Sequence, residues 1–313
     1  MTTLDEIVRG YRGHPGLRAK RPLRIVREVL GPSDAVAGPG DDAAALPDGD
    51  GHLLLAGEAM WPPFVETDPY GAGTAAVVAN VNDVAAMGGR PLAIVDTLVG
   101  PEGAARRALE GLRFAADLYG VPVVGGHLTV TEGPPSLSAF VAGRARALLS
   151  ATRAAPGQVL LLACCLEGRM REDFPFFSSL RERSEGLRDD VAMLPEVAEG
   201  GLVEAAKDVS MAGFLGSLAM LLEPTRRGAT VDLEALPRPE GVAIESWVEA
   251  FPTFGFWLTA RPAAAEACRD AFLSRGLACE VVGELDDTGV LRARVAGEVG
   301  EIADLARERP TGL

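Results

Sequence analysis

The sequence predicts an α/β (α+β) protein built in two parts, and three observations predict it. Apolar strand-like runs alternate with helix-like stretches in both halves of the chain. The segment SATRAAPGQ, residues 150–158, reads as a linker between the halves. The chain has 313 residues, 48% of them hydrophobic, which is enough length and apolar material for two cores. The expected domains are 1–149 and 150–313.

Each element has its own reason. Residues 3–30 read as two short helices split by the loop YRGHPGLRAKR. HLLLAGEA (52–59) reads as a strand, and 71–89 as a helix that ends at Gly88-Gly89. PLAIVDTLVG (91–100) is a strand. Residues 101–120 form an amphipathic helix that opens with Pro101 and stops at Gly120. Strands follow at 121–130 and 137–148. In the second half, 158–166 is a strand and 171–190 is irregular or weakly helical. Helices are expected at 191–206, 211–224 and 261–276, with strands at 254–260, 278–285 and 290–297.

Composition removes several functions. The net charge of -14 disfavours nucleic acid and anionic membrane, both of which need a basic face. No apolar run reaches the roughly 20 residues of a membrane span. The opening MTTLDEIVRG is acidic and lacks the apolar stretch of a secretory signal. The four cysteines, Cys164, Cys165, Cys268 and Cys279, show no CxxC spacing and read as reduced structural thiols of a cytoplasmic protein. Of 30 basic residues only Lys20 and Lys207 are lysines.

Several acidic residues sit where a solvated surface does not explain them. Asp41 and Asp42 follow a Gly-Pro-Gly turn that includes Gly40 and lead into AAAL. A solvated turn is the plain reading of that pair. Asp83 lies in AAVVANVNDVAAMG, a helix that is apolar or small apart from Asn80, Asn82 and Asp83. Such a helix is buried, so its carboxylate needs a partner or a cation. Glu58 ends a strand, and Asp96 interrupts the apolar strand LAIVDTLV. Asp208, in KDVS, reads equally as a helix cap or as a ligand to a metal–phosphate. Gly125-Gly126 before His127 allow close backbone approach, or form a bulge. Carboxylates gathered with Gly-rich turns suit magnesium and nucleotide phosphates. Neither a GxxxxGK[ST] loop nor the HRD and DFG of protein kinases is present.

GPGDDAAAL, the acidic strand end at Glu58, VNDVAAMGGRP, VVGGHLTV, KDVSMAGFLGSLAMLLE and FGFWLTA…VVGEL occur in that order from about residue 20 to 290. In this order they resemble the aminoimidazole ribonucleotide synthetase-like (PurM-like) superfamily, with thiamine-monophosphate kinase the nearest member. The resemblance implies a two-domain fold. Its N-terminal domain pairs with a second copy into a dimeric β-barrel, and its C-terminal α/β domain covers the cleft. It implies ATP and Mg2+ as cofactors, a small-molecule acceptor and a homodimer. Asp41, Asp42, Glu58, Asp83 and Asp208 are then metal ligands. Gly40, Asn82, Asp96, Gly125, Gly126, His127 and Lys207 lie at the nucleotide. Trp61, Phe64 and Phe176 are candidates for the acceptor pocket, with packing under a loop as the alternative.

The chain also departs from the family pattern. Glu58 stands where relatives carry aspartate, His127 where they carry aspartate, and Met211-Ala212-Gly213 where they carry Asp-Gly-Gly. The expected activity is ATP-dependent phosphoryl transfer or ATP activation. The alternatives are a nucleotide-binding maturation or partner protein without turnover, and an acidic structural protein with no nucleotide site.

Overall fold

The computed structural model describes residues 3–31, 33–172 and 174–313. Asp173 of the charged stretch and the first two residues of the N-terminal segment lie outside them. The chain opens with three short helices, α1 (Thr3–Gly13), α2 (Pro15–Lys20) and α3 (Arg24–Leu30). The expected loop at 11–21 is thus mostly helical, broken only around His14, because Pro15 suits the first turn of a helix and Leu17, Arg18, Ala19 and Lys20 after it are good helix formers.

Next come β1 (Ala44–Asp48), β2 (Gly51–Ala59), α4 (Pro62–Thr67), α5 (Pro69–Ala86), β3 (Gly89–Gly100), α6 (Glu102–Tyr119), β4 (Val123–Val130) and β5 (Ser136–Ala145). The five strands form one sheet in the order β1-β2-β5-β3-β4, antiparallel except for the β3–β4 pair. Helix α5 covers one face. Asp68 caps it by accepting from Gly71 N at 2.9 Å, and Pro69 occupies its first turn. It is buried over nearly its whole length, as its apolar composition requires. It meets α6 so closely that a Cβ on Gly73 would lie 2.0 Å from Ala108 O, and one on Gly111 2.0 Å from Tyr70 O. Only glycine permits that approach.

The second half contains β6 (Val159–Cys164), β7 (Arg169–Met170), β8 (Phe176–Ser178), α7 (Gly186–Glu199), β9 (Ala205–Asp208), α8 (Gly213–Leu222), β10 (Gly228–Asp232), α9 (Ile244–Glu249), β11 (Phe251–Pro252), β12 (Gly255–Ala260), α10 (Ala265–Ser274), β13 (Ala278–Asp286), β14 (Val290–Val295) and β15 (Glu298–Asp304). Its main sheet runs β15-β14-β10-β13-β6-β12-β9, and β11-β8-β7 form a small separate sheet. Strands β6 and β12 are apolar on both faces and pair antiparallel at the centre of the core.

Here the helix expected at 191–206 is cut short. It ends at Glu199 before Gly200-Gly201, and Ala205–Asp208 is an edge strand beside β12. Pairing with an apolar strand outweighs the helix propensity of Glu-Ala-Ala. The capping expectation also gives way. Residue Ala212 stands at the cap position of α8 and makes no side-chain cap, while Asp208 ends the strand. All four cysteines are free and buried. Among the described residues, no helix is long and apolar enough to cross a membrane.

Candidate functional site

A cavity of about 2440 Å³ opens between the two sheets, roofed by the N-terminal helices and the small sheet. Its acidic floor is assembled from distant parts of the chain. Side chains alternate along β2, so Glu58 falls on the same face as Leu54, the face that α5 covers. Asp83 projects from α5 and is 7% exposed. Asp208 stands at the end of β9 and is 6% exposed. Asp42 comes from the loop before β1. Carboxylate oxygens of Asp42, Asp83 and Asp208 all lie within 4.8 Å of one another.

The adjacent aspartates both line the cavity but take different partners. Asp41 turns to the connection between the halves, where its Oδ2 accepts from Ser150 Oγ at 2.8 Å and its Oδ1 from Ala151 N at 2.7 Å. Both of its oxygens are thereby engaged, outside the trio. Asp42 turns into the cleft, where it pairs with Lys207 and accepts from Asp208 N at 3.2 Å. Lys207 also lies 3.1 Å from Asp208 Oδ1.

Burial strains this cluster electrostatically. It pushes Asp42 up to about 7, with Lys207 opposing and Asp208 adding to the rise. It pushes Asp83 well above the usual carboxylate range, reinforced by Asp208, Glu58 and Asp42. Glu58 is raised by burial and eased by Lys20. Burial pulls Lys207 down, but Asp42 and Asp208 pull it further up, so the ammonium stays charged. Like charges this close in a buried site call for a cation.

The three carboxylates fit a hard divalent ion such as magnesium, and the same cavity offers two neutral oxygens, Asn82 Oδ1 and Ser210 Oγ, which are buried and have no hydrogen-bond partner among the described residues. Both residues line the cavity. The amide of Asn82 donates to Thr253 O at 3.0 Å, which fixes its oxygen's orientation and joins α5 to the second half.

The remaining sequence candidates divide. Gly40, Lys207, Trp61, Phe64 and Phe176 line the cavity. One wall is aromatic: Phe176 and Phe174 pack on Phe251 at 5.1 and 5.6 Å, and Tyr70 faces Phe114 at 6.0 Å. Asp96, Gly125, Gly126 and His127 are not brought to the cavity. They lie on β3 and β4 at the far edge of the first sheet, where His127 is exposed and contacts Thr129 Oγ1 at 3.1 Å. Sequence reasoning missed His14 and Lys20 as residues of the cleft. The scarcity of lysine was the available signal, since both lysines of the chain face these carboxylates.

Comparison with known proteins agrees with this architecture. Residues 40–145 match the family described as AIR synthase related protein, N-terminal domain, and residues 178–296 match its C-terminal domain. The chain belongs to the AIR synthase-related family. An uncharacterised protein of Synechocystis sp. is 35% identical over 290 residues, covering 92% of this chain and 90% of its own. One from Methanocaldococcus jannaschii is 30% identical, covering 90% and 91%. Among solved structures, T. maritima PurL complexed with AMPPCP superimposes with a TM-score of 0.76 at 21% identity, over 97% of this chain and 51% of that one. AaThiL complexed with AMPPCP and TMP gives 0.68 at 18% identity, over 88% and 94%. This AIR synthase-related chain therefore spans about half of the PurL chain and nearly all of AaThiL. At these identities the likeness is one of fold.

Proposed function

We propose that this chain is an ATP- and Mg2+-dependent enzyme that transfers or activates the terminal phosphoryl group of the nucleotide toward a small acceptor. The observation that carries this reading is the buried trio Asp42, Asp83 and Asp208 on the floor of one large cleft. Magnesium bound there neutralises phosphate charge and aligns the transferred group. Asp42, Asp83 and Asp208 hold the ion, with Asn82 Oδ1 and Ser210 Oγ as neutral oxygens beside it. Glu58 bounds the site next to Lys20. Lys20 lines the same cleft and would add positive charge beside a bound phosphate. Structural relatives crystallised with ATP-type nucleotides support the same reading.

The acceptor enters along the aromatic wall of Trp61, Phe64, Tyr70 and Phe176, which suits a planar molecule. Arg27, Arg169 and Arg181 at the rim favour one that carries negative charge. Thiamine monophosphate is the first acceptor to offer. In this reading the chain divides into domains near residue 150, works in the cytoplasm, and pairs with a second copy through the open face of its first sheet. Asp96, Gly125, Gly126 and His127 lie along that sheet's far edge and would meet nucleotide only through such pairing.

A second reading, nucleotide binding without turnover, is favoured by the replacement of a shorter carboxylate with Glu58 and by Met211-Ala212 after the KDVS segment. Calorimetry of ATP with and without Mg2+, on the wild type and on Asp83→Ala, tests the site. Binding that needs Mg2+ and is lost in the variant supports it. No binding by folded wild type at millimolar ATP sinks both readings. Product formation with an acceptor then separates turnover from binding alone.

A further inference from the structure

The acidic cleft contains a cation of its own. Lys207 precedes Asp208 at the end of β9 and is 7% exposed. Its ammonium pairs with both Asp42 and Asp208, two of the three carboxylates of the trio. It thus sits among the groups that a metal ion would use.

Charge sets how many further cations the site takes. With an ion bound, the three aspartates are ionised and carry three negative charges, and Lys207 returns one positive charge. The two that remain match one divalent ion. A second divalent ion would overcharge a buried site and would find Asp42 and Asp208 already engaged. Glu58 lies outside the count, because among the described residues only Asp42, Asp83 and Asp208 bring carboxylate oxygens within 4.8 Å of one another. Asp41 lies outside the count too, its oxygens being taken up by Ser150 Oγ and Ala151 N. Asn82 Oδ1 and Ser210 Oγ, without partners among the described residues, are neutral oxygens of the same cavity and leave the sum unchanged.

Residue choice points the same way. Elsewhere the chain uses arginine, in 28 of its 30 basic positions, that is 30 less the two lysines. A guanidinium is a broad planar fork, whereas an ammonium is a compact point charge, closer in shape to a metal ion. We propose that Lys207 is a tethered counter-cation holding one cation position of the Asp42–Asp83–Asp208 site, so that the site takes a single divalent ion. This rests on reading the cleft as a cation and nucleotide site.

The test is a titration with Mn2+ alone, followed by electron paramagnetic resonance of the free ion. The sites counted are those lost in Asp83→Asn, which removes weak surface binding from the count. The expected result is one Mn2+ per wild-type chain. In Lys207→Met, a second ion binds or the first binds about tenfold or more tightly, because a competing charge has gone. A wild-type count of two or of none overturns the proposal. So does an affinity that falls or stays level in Lys207→Met. The wild-type count decides the matter if that variant does not fold. ATP binding is measured separately on the same wild-type protein. One Mn2+ without ATP binding removes the nucleotide reading and keeps the lysine assignment. Two Mn2+ with ATP binding does the reverse.

Discussion

The backbone N–H of Asp208, at the end of β9, donates to Asp42 Oδ2 across 3.2 Å. It ties the edge of the second sheet to the acidic loop that precedes the first. The same carboxylate pairs with Lys207, so Asp42 holds the two halves together as well as forming the cleft. Asp42→Asn keeps the shape but leaves Lys207 with one charged partner in a buried site. Breaking such a pair costs about 3 kcal/mol or more. Urea unfolding of the metal-free protein should show a lower midpoint with an unchanged slope. Lys207→Met in the same background should restore part of the loss, because the uncompensated charge has gone. A cost below about 1 kcal/mol would show that the pair does not hold the halves together.

Asp41, its neighbour, should behave differently. Its two oxygens accept from Ser150 Oγ and Ala151 N and lock the connection between the sheets. Asp41→Ala should cost about 1.5–3 kcal/mol, the scale of hydrogen bonds to a charged group. ATP affinity in the folded variant should stay within about threefold of wild type, since the side chain is outside the trio. Calorimetry on both single variants checks this. Equal loss of nucleotide binding in Asp41→Ala and Asp83→Ala would place Asp41 in the cation site after all.

How much of this was legible in the sequence follows from what each residue advertises. The helix around Asp83 is apolar on all sides, so one charge within it was conspicuous, and it is buried as expected. Asp41 and Asp42 are adjacent in sequence, and nothing local says that they take different partners. That depends on Ser150 and Asp208, each more than a hundred residues away. The strand Ala205–Asp208 was hidden because its residues favour a helix when isolated and are strand only beside β12. The aromatic wall combines β8, β11, α5 and α6, which no local pattern links. Trp61 and Phe64 were legible as candidates because they flank the Pro-Pro pair, which opens the short helix α4.

The pH dependence of metal binding follows from the raised carboxyls. Asp42 titrates near 7 in the folded protein, above its ordinary value of 3.8, and Asp83 is raised further by burial and its acidic neighbours. A carboxyl with a raised folded pKa favours folding while it is protonated. That contribution is full below about pH 4 and is lost as the pH climbs through about 7. A divalent ion binds only the ionised form and offsets the loss. The gain in melting temperature caused by Mg2+ should therefore be larger at about pH 8 than at about pH 5.5. Scanning calorimetry with and without the ion measures it. A gain that is equal at both values, or larger at the lower one, is incompatible with ion binding at these carboxyls.

Helix packing gives a prediction independent of chemistry. A Cβ at Gly73 would lie 2.0 Å from Ala108 O, a backbone atom that cannot move without displacing α6. Gly73→Val should cost about 3 kcal/mol or more, at the upper end of overpacking. It should also shift Asp83 on the same helix and so weaken Mg2+-dependent ATP binding. Gly103, with open space around its Cβ position, serves as the control. Circular dichroism melts of both variants compare the two. A Gly73→Val protein as stable as Gly103→Val would mean that α5 and α6 separate freely.

The last prediction concerns the face of the first sheet opposite α5. Phe140 on β5 is 45% exposed, Leu55 on β2 43% and Val95 on β3 41%. Val95 and Phe140 are cross-strand partners, and the Phe140 ring lies over Gly57, where a Cβ would come within 2.5 Å of it. An apolar strip across adjacent strands is unusual on a surface that stays in water. A second copy presenting the same strip would cover it under twofold symmetry, with the Phe140 side chains as central anchors. Light scattering of the wild type should then give twice 32.7 kDa, and Phe140→Asp should give the single-chain mass. Asp42, Asp83 and Asp208 lie on the other side of the sheet, so the variant's metal-only Mn2+ count should stay as in wild type. A wild type that scatters as one chain at micromolar concentration would leave the strip without this partner. A Phe140→Asp protein that remains double would move the interface elsewhere.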